Sequence, residues 1–471
     1  MKDHSIQRRP RRLFLVAVAT FAILSGCASY QPQPLHDQSP LAADLDGLQV
    51  EAADLSANGF TGRYTINPAD GLDLTEVGIL AVINNADLRV QRARLEVAGA
   101  QAFSAGLLPD PQISAGLDKP TGNTTGLVNG WLLGSSYDII PLITRQARID
   151  AARQGREKVR LDLLWQEWQV IQQSRSLAVR LQLEEQRLTL LRTMLALYRE
   201  RYQRSARALT EGHITLDVNG TDLTALVDTL SQINQLEQTH NQTRHSLNLL
   251  LGLAPQAVVT LAPLPQNEPL NADNIKAQLT MLPQLRPDLL ALKAGYESQE
   301  ARVRAAILAQ FPSLGIGVNR ARDTGDVDTV GLSVTLSLPL FSGNRGNIAI
   351  ERATREQLRD EYQARLARAR VDVDRLLQRQ AILQRQLDNL QMYLPRLKIL
   401  VERARRAYRQ GDIGALTFLN MESTWVNKRL ERISLEQAGW ENRIALEALL
   451  ALPGYPEKPL SAATGIKVKK P

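Results

Sequence analysis

Two hydrophobic periods run through this chain. Residues 329–338 alternate strictly, with Val330, Leu332, Val334, Leu336 and Leu338 on one side and Thr329, Gly331, Ser333, Thr335 and Ser337 on the other. Residues 313–319 do the same, Leu314, Ile316 and Val318 against Ser313, Gly315, Gly317 and Asn319. The polar stretch 323–328 between them is a turn signal, so this region reads as a β-hairpin. A weaker counterpart lies upstream: Ile113, Ala115 and Leu117 alternate, a Gly/Thr/Asn-rich loop spans 120–130, and a second strand is predicted over 131–140.

Elsewhere the apolar period is helical. Leu376, Leu383, Leu390 and Leu397 lie seven apart, with Leu387, Leu394, Val401 and Tyr408 on the alternate seam positions. Leu181, Leu188, Leu195 and Tyr202 repeat the spacing earlier, with Leu177, Leu191 and Tyr198 between them. A seam of period 3.5 predicts left-handed packing against a neighbouring helix. The runs that carry these seams, 144–211 and 344–410, are each ~100 Å long if continuous at ~1.5 Å per residue. Their dense Arg and Glu content excludes a membrane-spanning helix. Pro395 lies inside the second run and is expected to kink or interrupt it, since it lacks an N–H and clashes with the preceding turn.

Landmarks recur at nearly one offset. Asn85-Ala86-Asp87-Leu88 and Arg286-Pro287-Asp288-Leu289 open shorter helical patterns (72–107 and 284–310) 201 residues apart. Pro141-Leu142-Ile143-Thr144 and Pro339-Leu340-Phe341-Ser342 lie 198 apart, and Glu211-Gly212 and Gln410-Gly411 lie 199 apart. With Leu108-Pro109 and Phe311-Pro312, which end the shorter patterns, these make four landmarks in one order at nearly one spacing, and they indicate an internal duplication, each copy running helix, strand pair, very long helix, break, helix. The expected organisation is a leader over 1–26, an N-terminal linker over 27–70, a first repeat over 71–265, a second over 266–452 and a tail over 453–471.

Each predicted strand is about ten residues long, the span of a tilted outer-membrane strand. The residues opposite the apolar face are small and uncharged, which suits a wetted lumen with lipid outside. Four strands do not close a barrel around a pore, and lipid does not tolerate open sheet edges. Strands placed in a membrane must therefore be pooled by several chains. Three chains would supply twelve, within the even-numbered series of such barrels.

The N-terminus sets the compartment. Lys2, Arg8, Arg9, Arg11 and Arg12 precede an apolar stretch over 13–24, too short to span a bilayer. Leu24-Ser25-Gly26-Cys27 follows and resembles a bacterial lipobox, which marks Cys27, the single cysteine of the 471 residues, as a lipid attachment site. Ala28 follows it where an inner-membrane retention signal would place Asp. With one cysteine there is no intramolecular disulfide. Of the formal charge of +7, +4 lies in residues 1–26, so the high isoelectric point is weak evidence for nucleic-acid binding. No Gly-x-x-x-x-Gly-Lys phosphate loop and no His-Glu-x-x-His metal motif occurs. His240 and His245, five apart, fall on different helix faces, and Trp165 and Trp168 read as packing residues.

In this order the pieces resemble the TolC-like outer-membrane factors, the outer membrane efflux proteins. The matching segments are Asn85-Ala86-Asp87-Leu88 running to Ala105-Gly106-Leu107-Leu108-Pro109, Leu247-Asn248-Leu249-Leu250-Leu251-Gly252, Arg286-Pro287-Asp288-Leu289, Leu338-Pro339-Leu340-Phe341-Ser342-Gly343 and Tyr408-x-x-Gly411, covering roughly 70–452. The resemblance implies a mainly α fold with a small transmembrane β part: two structural repeats, each with long coiled-coil helices plus a β-hairpin, assembled as a homotrimer with a twelve-stranded β-barrel and an α-barrel tunnel. It implies a duct in outer-membrane lipid that works with a periplasmic adaptor and an inner-membrane transporter, binds no nucleic acid, and has no catalytic residue, metal or cofactor beyond a covalent lipid on Cys27. Gly212, Tyr408 and Gly411 match the tip residues that contact the adaptor. Leu209 replaces the aromatic in the first copy. Thr417 and Asn420 stand where many members carry gate acids, while Asp217 and Asp412 lie nearby but off register. The 105–111 stretch resembles the heavy-metal branch. An alternative of another class is a periplasmic coiled-coil adaptor or structural envelope lipoprotein.

Overall fold

The computed structural model describes residues 30–35, 37–48, 70–122 and 125–450, with the side chain of Ala415 left out. The leader 1–26, Cys27, Ala28 and the tail 453–471 lie outside these residues. Contacts divide the chain into two units, 1–40 and 41–471. Residues 30–35 and 37–40 of the first carry no regular element and are exposed. Every helix and strand named below belongs to the second.

That unit opens with α1 (Leu74–Asn84) and α2 (Ala86–Gly106). The single helix expected over 72–107 is two, for a local reason. Asp73 starts α1 with a capping box, accepting from the N–H of Thr75 and Glu76 at 2.7 and 2.8 Å while Glu76 accepts from its own N–H at 2.9 Å. Asn85 then adopts an extended backbone, ends α1, and caps α2 by accepting from the Leu88 N–H at 3.0 Å. The asparagine side chain competes with the helix for backbone donors, and here it wins.

Strands β1 (Gln112–Asp118) and β2 (Gly130–Asp138) form the first hairpin, and α3 (Ile140–Thr210) and α4 (Leu216–Leu251) the first helical hairpin. After a connection come α5 (Ala272–Gln278), a 3-10 turn, α6 (Leu282–Leu285) and α7 (Pro287–Leu308). Strands β3 (Ser313–Arg322) and β4 (Asp328–Ser337) lead into α8 (Arg345–Gln410) and α9 (Ala415–Leu450). The 66-residue α8 is continuous through Pro395. Of the two outcomes expected at Pro395, a kink or an interruption, the helix is not interrupted, although proline still removes one helical hydrogen bond there.

The landmark motifs have structural roles. Arg286 grips Asp288 with a bidentate fork (Nε–Oδ1 2.9 Å, Nη2–Oδ2 2.7 Å), Pro287 takes the first helical position of α7, and Leu289 is buried. Arg286 also lies 5.0 Å from the Trp165 ring centroid, and Arg365 of α8 reaches Asp288 at 3.3 Å. Asn248 donates to the carbonyls of Ala254, Pro255 and Ala257, while Gly252 (φ 74°) closes α4. Trp168 is buried and donates its indole N–H to the Ala448 carbonyl at 3.1 Å, tying α3 to α9.

The main core gathers Val77 and Leu80 of α1, Val179 and Leu183 of α3, Leu247 and Leu251 of α4, and Trp440 and Ile444 of α9. Leu48 joins it, and Ala42 bridges Leu253 through backbone hydrogen bonds of 2.9 and 2.7 Å. Residues 41–48, within the stretch expected as a linker, are therefore packed structure. The seam residues Leu181, Leu188, Leu376, Leu383, Leu390 and Val401 are all buried. A buried ion pair joins the repeats: Arg175 Nη1 lies 3.0 Å from Glu447 Oε2, with both side chains 3% exposed.

Candidate functional site: the strand sheet and the helix tips

The two hairpins merge into one antiparallel sheet, β1-β2-β3-β4. Its register decides which side chains share a face. Ile113 pairs Ser135, Leu117 pairs Trp131, Ser135 pairs Val318, Tyr137 pairs Ile316, and Ile316 and Val318 pair Val334 and Leu332. One face thus presents Ile113, Leu117, Leu133, Ile316, Val318, Val330, Leu332, Val334 and Leu336, all exposed. Val330 and Leu332 are each 83% exposed, a state that water penalises and hydrocarbon does not. Trp131 and Tyr137 sit on the same face, six residues and ~20 Å apart, putting one ring near each end of the apolar band.

The opposite face carries Ser114, Gly134, Ser136, Gly317, Asn319, Gly331, Ser333 and Thr335. It is crowded: a Cβ at Gly331 would come within 2.7 Å of Asn319 Oδ1, and one at Gly317 within 3.0 Å of the Ser135 carbonyl. Glycine there leaves room for the neighbouring strands' atoms. Strands β1 and β4 remain as open edges, with backbone groups unpaired within the chain.

The expected hairpin boundaries shift slightly. β2 ends at Asp138, whose carboxylate accepts from the Ile140 N–H at 3.1 Å, so Ile140 begins α3 instead of ending the strand. β3 runs to Arg322 and so adds Arg320 and Arg322 to the apolar face. Where strands meet helices, arginines satisfy free carbonyls: Arg145 donates to Gly106, Arg148 to Pro141 and Arg345 to Phe341.

At the far ends of the long helices the chain turns twice in the same way. Gly212 (φ 73°) donates its N–H to the Leu209 carbonyl at 3.0 Å, and His213 to Ala208 at 2.8 Å. Gly411 (φ 83°) donates to Tyr408 at 3.2 Å, and Asp412 to Ala407 at 2.9 Å. Both are Schellman closures, which need a left-handed residue that glycine adopts without strain. Tyr408 is half-buried and stacks on Phe418 of α9, ring centroids 5.2 Å apart. Both rings border a cleft of about 240 Å³ whose other wall comes from α3, the α3–α4 turn and the start of α4, including Leu197, Ala208, Ile214 and Val218. The second tip therefore lies against the first. Asp217, Asp412, Thr417 and Asn420 are all exposed. A hydrogen bond from Thr215 holds the Asp217 carboxyl below the ordinary carboxylate range.

Near the tips one ion pair bridges each hairpin, Arg201 Nε to Asp222 Oδ1 at 2.7 Å in the first and Arg405 Nη2 to Glu422 Oε1 at 2.6 Å in the second. Asp222 and Glu422 are buried. Sequence reading overlooked them because their partners lie across a turn, at separations no motif marks. Further along the first hairpin, His240 sits between carboxylates, Nδ1 3.7 Å from Glu184 and Nε2 3.6 Å from Glu185. Burial lowers the His240 pKa and raises that of Glu184. Among the described residues no cluster of three or more His, Cys, Asp or Glu could hold a metal ion, and no helix is long and apolar enough to cross a membrane.

A strand sheet with one exposed apolar face, joined to paired helical hairpins with glycine tips, is a fold shared with solved outer-membrane channels. The outer membrane efflux protein family model matches residues 279–452, the second repeat. Curated relatives extend the likeness over both repeats. The probable outer membrane lipoprotein SilC of Salmonella typhimurium is 24% identical over 447 residues, covering 87% of this chain and 92% of the relative. The cation efflux system protein CusC of Escherichia coli is 23% identical over 471 residues, covering 93% and 98%. The pyoverdine export outer membrane protein OpmQ of Pseudomonas putida is 25% identical over 407 residues, covering 79% and 84%. Among solved structures, CusC superposes with a TM-score of 0.64 at 21% identity, covering 85% of this chain and 98% of that one. The Campylobacter jejuni CmeC outer membrane channel superposes at 0.68 and 17% identity, covering 88% and 95%. The second repeat thus matches the outer membrane efflux protein family model, and the fold over both repeats is that of solved outer-membrane channels.

Proposed function

We propose that this chain is the outer-membrane channel of a tripartite efflux system, passing small solutes such as metal ions or drugs from a pump to the exterior. The observation that carries this reading is the sheet: four strands, an exposed apolar face with aromatic residues near both ends, a small polar face, and two open edges. In lipid those edges must be paired, and identical edges on sister protomers supply the pairing. Three protomers give a twelve-stranded barrel with the small polar residues lining the pore. The long helices of three protomers then continue the duct through the periplasm. The protein supplies a wetted path and performs no chemistry on its cargo.

The two tips are the docking end. Gly212, Gly411 and Tyr408 form the surface an adaptor meets, and an inner-membrane transporter feeds the duct through it. Asp217, Asp412, Thr417 and Asn420 border the gate, which opens when partner contacts move the second hairpin away from the first. Cys27 carries a covalent lipid that adds an anchor to the barrel. Cargo follows one of two classes: two of the relatives are a cation efflux protein and a pyoverdine exporter.

Reconstitution tests the reading. The purified full-length protein in a planar bilayer is expected to run as a heat-sensitive trimer and to conduct ions. A non-conducting monomer that leaves the membrane once Cys27 is replaced by Ala would overturn it and favour a soluble envelope lipoprotein.

A further inference from the structure

Arg320 is out of keeping with its surroundings. It lies on the apolar face of the sheet, paired in register with Leu133 on one side and Val330 on the other, two residues beyond Val318. It is exposed. Its neighbour on the same face, Arg322, is ion-paired with Asp326 and stands opposite Asp328. Among the described residues no carboxylate lies within ion-pair distance of Arg320. Its guanidinium carbon sits 6.0 Å from the centroid of the Trp131 ring. The Trp131 indole N–H has no acceptor among the described residues.

A guanidinium stays charged at any physiological pH. On a lipid-facing strand a cation costs ~2–4 kcal/mol at mid-depth and ~0–1 kcal/mol near the interface. Arg320 is two residues from the loop end of β3, and its side chain reaches the headgroup level by extending along the strand. The loop end is opposite the end where α3 and α8 leave the sheet, so with those helices in the periplasm it faces the outside. At that level the anions on offer are lipid phosphates. The planar guanidinium fork matches a phosphate bidentately, the indole face holds the fork's plane, and the indole N–H adds a donor. A phosphate monoester, with up to two charges and three free oxygens, uses all of these donors; the diester of a common phospholipid offers one charge and two.

We infer that Arg320 and Trp131 form a site for the phosphate of a phosphorylated glycolipid in the outer leaflet, one site per protomer. The inference rests on the bilayer placement proposed above.

Native mass spectrometry of the delipidated full-length protein tests it. The probes are bisphosphorylated lipid A, the same lipid chemically dephosphorylated, and phosphatidylglycerol. The wild type is expected to bind bisphosphorylated lipid A about tenfold better than the other two, the scale of one charge-assisted hydrogen-bonded contact. Arg320→Gln is expected to lose that preference, Arg320→Lys to keep part of it, and Arg379→Gln, on an exposed part of α8, to keep all of it. Equal binding of phosphorylated and dephosphorylated lipid by the wild type overturns the inference, as does a preference for phosphatidylglycerol or an unchanged preference in Arg320→Gln. The wild-type ranking decides the matter even if Arg320→Gln does not assemble. A protein that binds no lipid of any kind overturns the bilayer placement along with the inference.

Discussion

Replacing Glu447 by Ala should destabilise this protein far more than replacing any surface acid. Glu447 is buried on α9, with Oε2 3.0 Å from Arg175 of α3 and Oε1 2.9 Å from Arg443, and the Arg175 and Glu447 side chains are each 3% exposed. Removing the carboxylate leaves Arg175 charged and desolvated without this acidic partner, Gln172 standing 3.1 Å away. Breaking a buried pair in this way costs about 3–5 kcal/mol. The comparison is Glu431→Ala, whose partner Lys428 lies 2.7 Å away but whose pair is 44% and 48% exposed, so that about 0–1 kcal/mol is at stake. At roughly 2 °C per kcal/mol for a long chain, Glu447→Ala lowers the thermal midpoint on the order of 5–10 °C. The assay is helix loss by circular dichroism in detergent, with the trimer band followed on gels. Because Arg175 and Glu447 join the first repeat to the second, trimer loss should accompany helix loss. The double variant Arg175→Met/Glu447→Met should recover most of the deficit, since an apolar pair of similar volume needs no desolvation. If Glu447→Ala melts with Glu431→Ala, the reasoning is refuted.

Other predictions follow from the faces, the tips and the titrating groups. Leu332→Arg places a charge on the apolar band at about 2–4 kcal/mol per protomer and should abolish heat-sensitive trimers, whereas Thr335→Arg on the polar face should leave them and alter conductance. The His240 pKa is lowered in the folded state, so its contribution is present above the ordinary value of 6.5 and is lost as pH falls below it. Glu184, whose pKa is raised from 4.5, works in the opposite sense and gains as pH falls, so His240→Gln should flatten the loss of stability on acidification from pH ~7 to ~5.5, measured by melting. Gly411→Val forces a branched residue to φ 83° at a cost of about 1–2 kcal/mol, which should appear as faster amide exchange confined to the second tip. Cys27→Ala should remove the acyl mass and leave the trimer assembled, as judged by mass spectrometry and gel mobility.

The alternation over 329–338 and the heptads of the two long runs were legible in the sequence because strand and helix periods are local properties, and a seam such as Leu376-Leu383-Leu390 is buried by whatever helix lies beside it. The tip glycines were legible for a related reason: a helix that ends in a left-handed residue asks for glycine at that spot. The break in the first helix is not legible, because hydrophobic periodicity runs straight through Asn85, and only its side-chain bond to the Leu88 N–H shows that the backbone turns there. The continuity of α8 through Pro395 was likewise invisible, since neighbouring helices decide whether a proline ends a helix or is carried along.

The site divides along the same line. Which residues are lipophilic, which are small and which turn the chain was written in order along the sequence. Which of them meet was not. Tertiary structure alone placed Tyr408 on Phe418 against the first tip, Arg201 on Asp222, His240 between Glu184 and Glu185, and Arg320 beside Trp131 on the apolar face. The pairing of β2 with β3, which unites two distant hairpins in one sheet, is of this kind too. Patterns of period 2 and 3.5 arise from bonds within a few residues, so they survive in one dimension. A contact between segments 180 residues apart is set by how whole faces fit, and no short stretch of sequence carries that information.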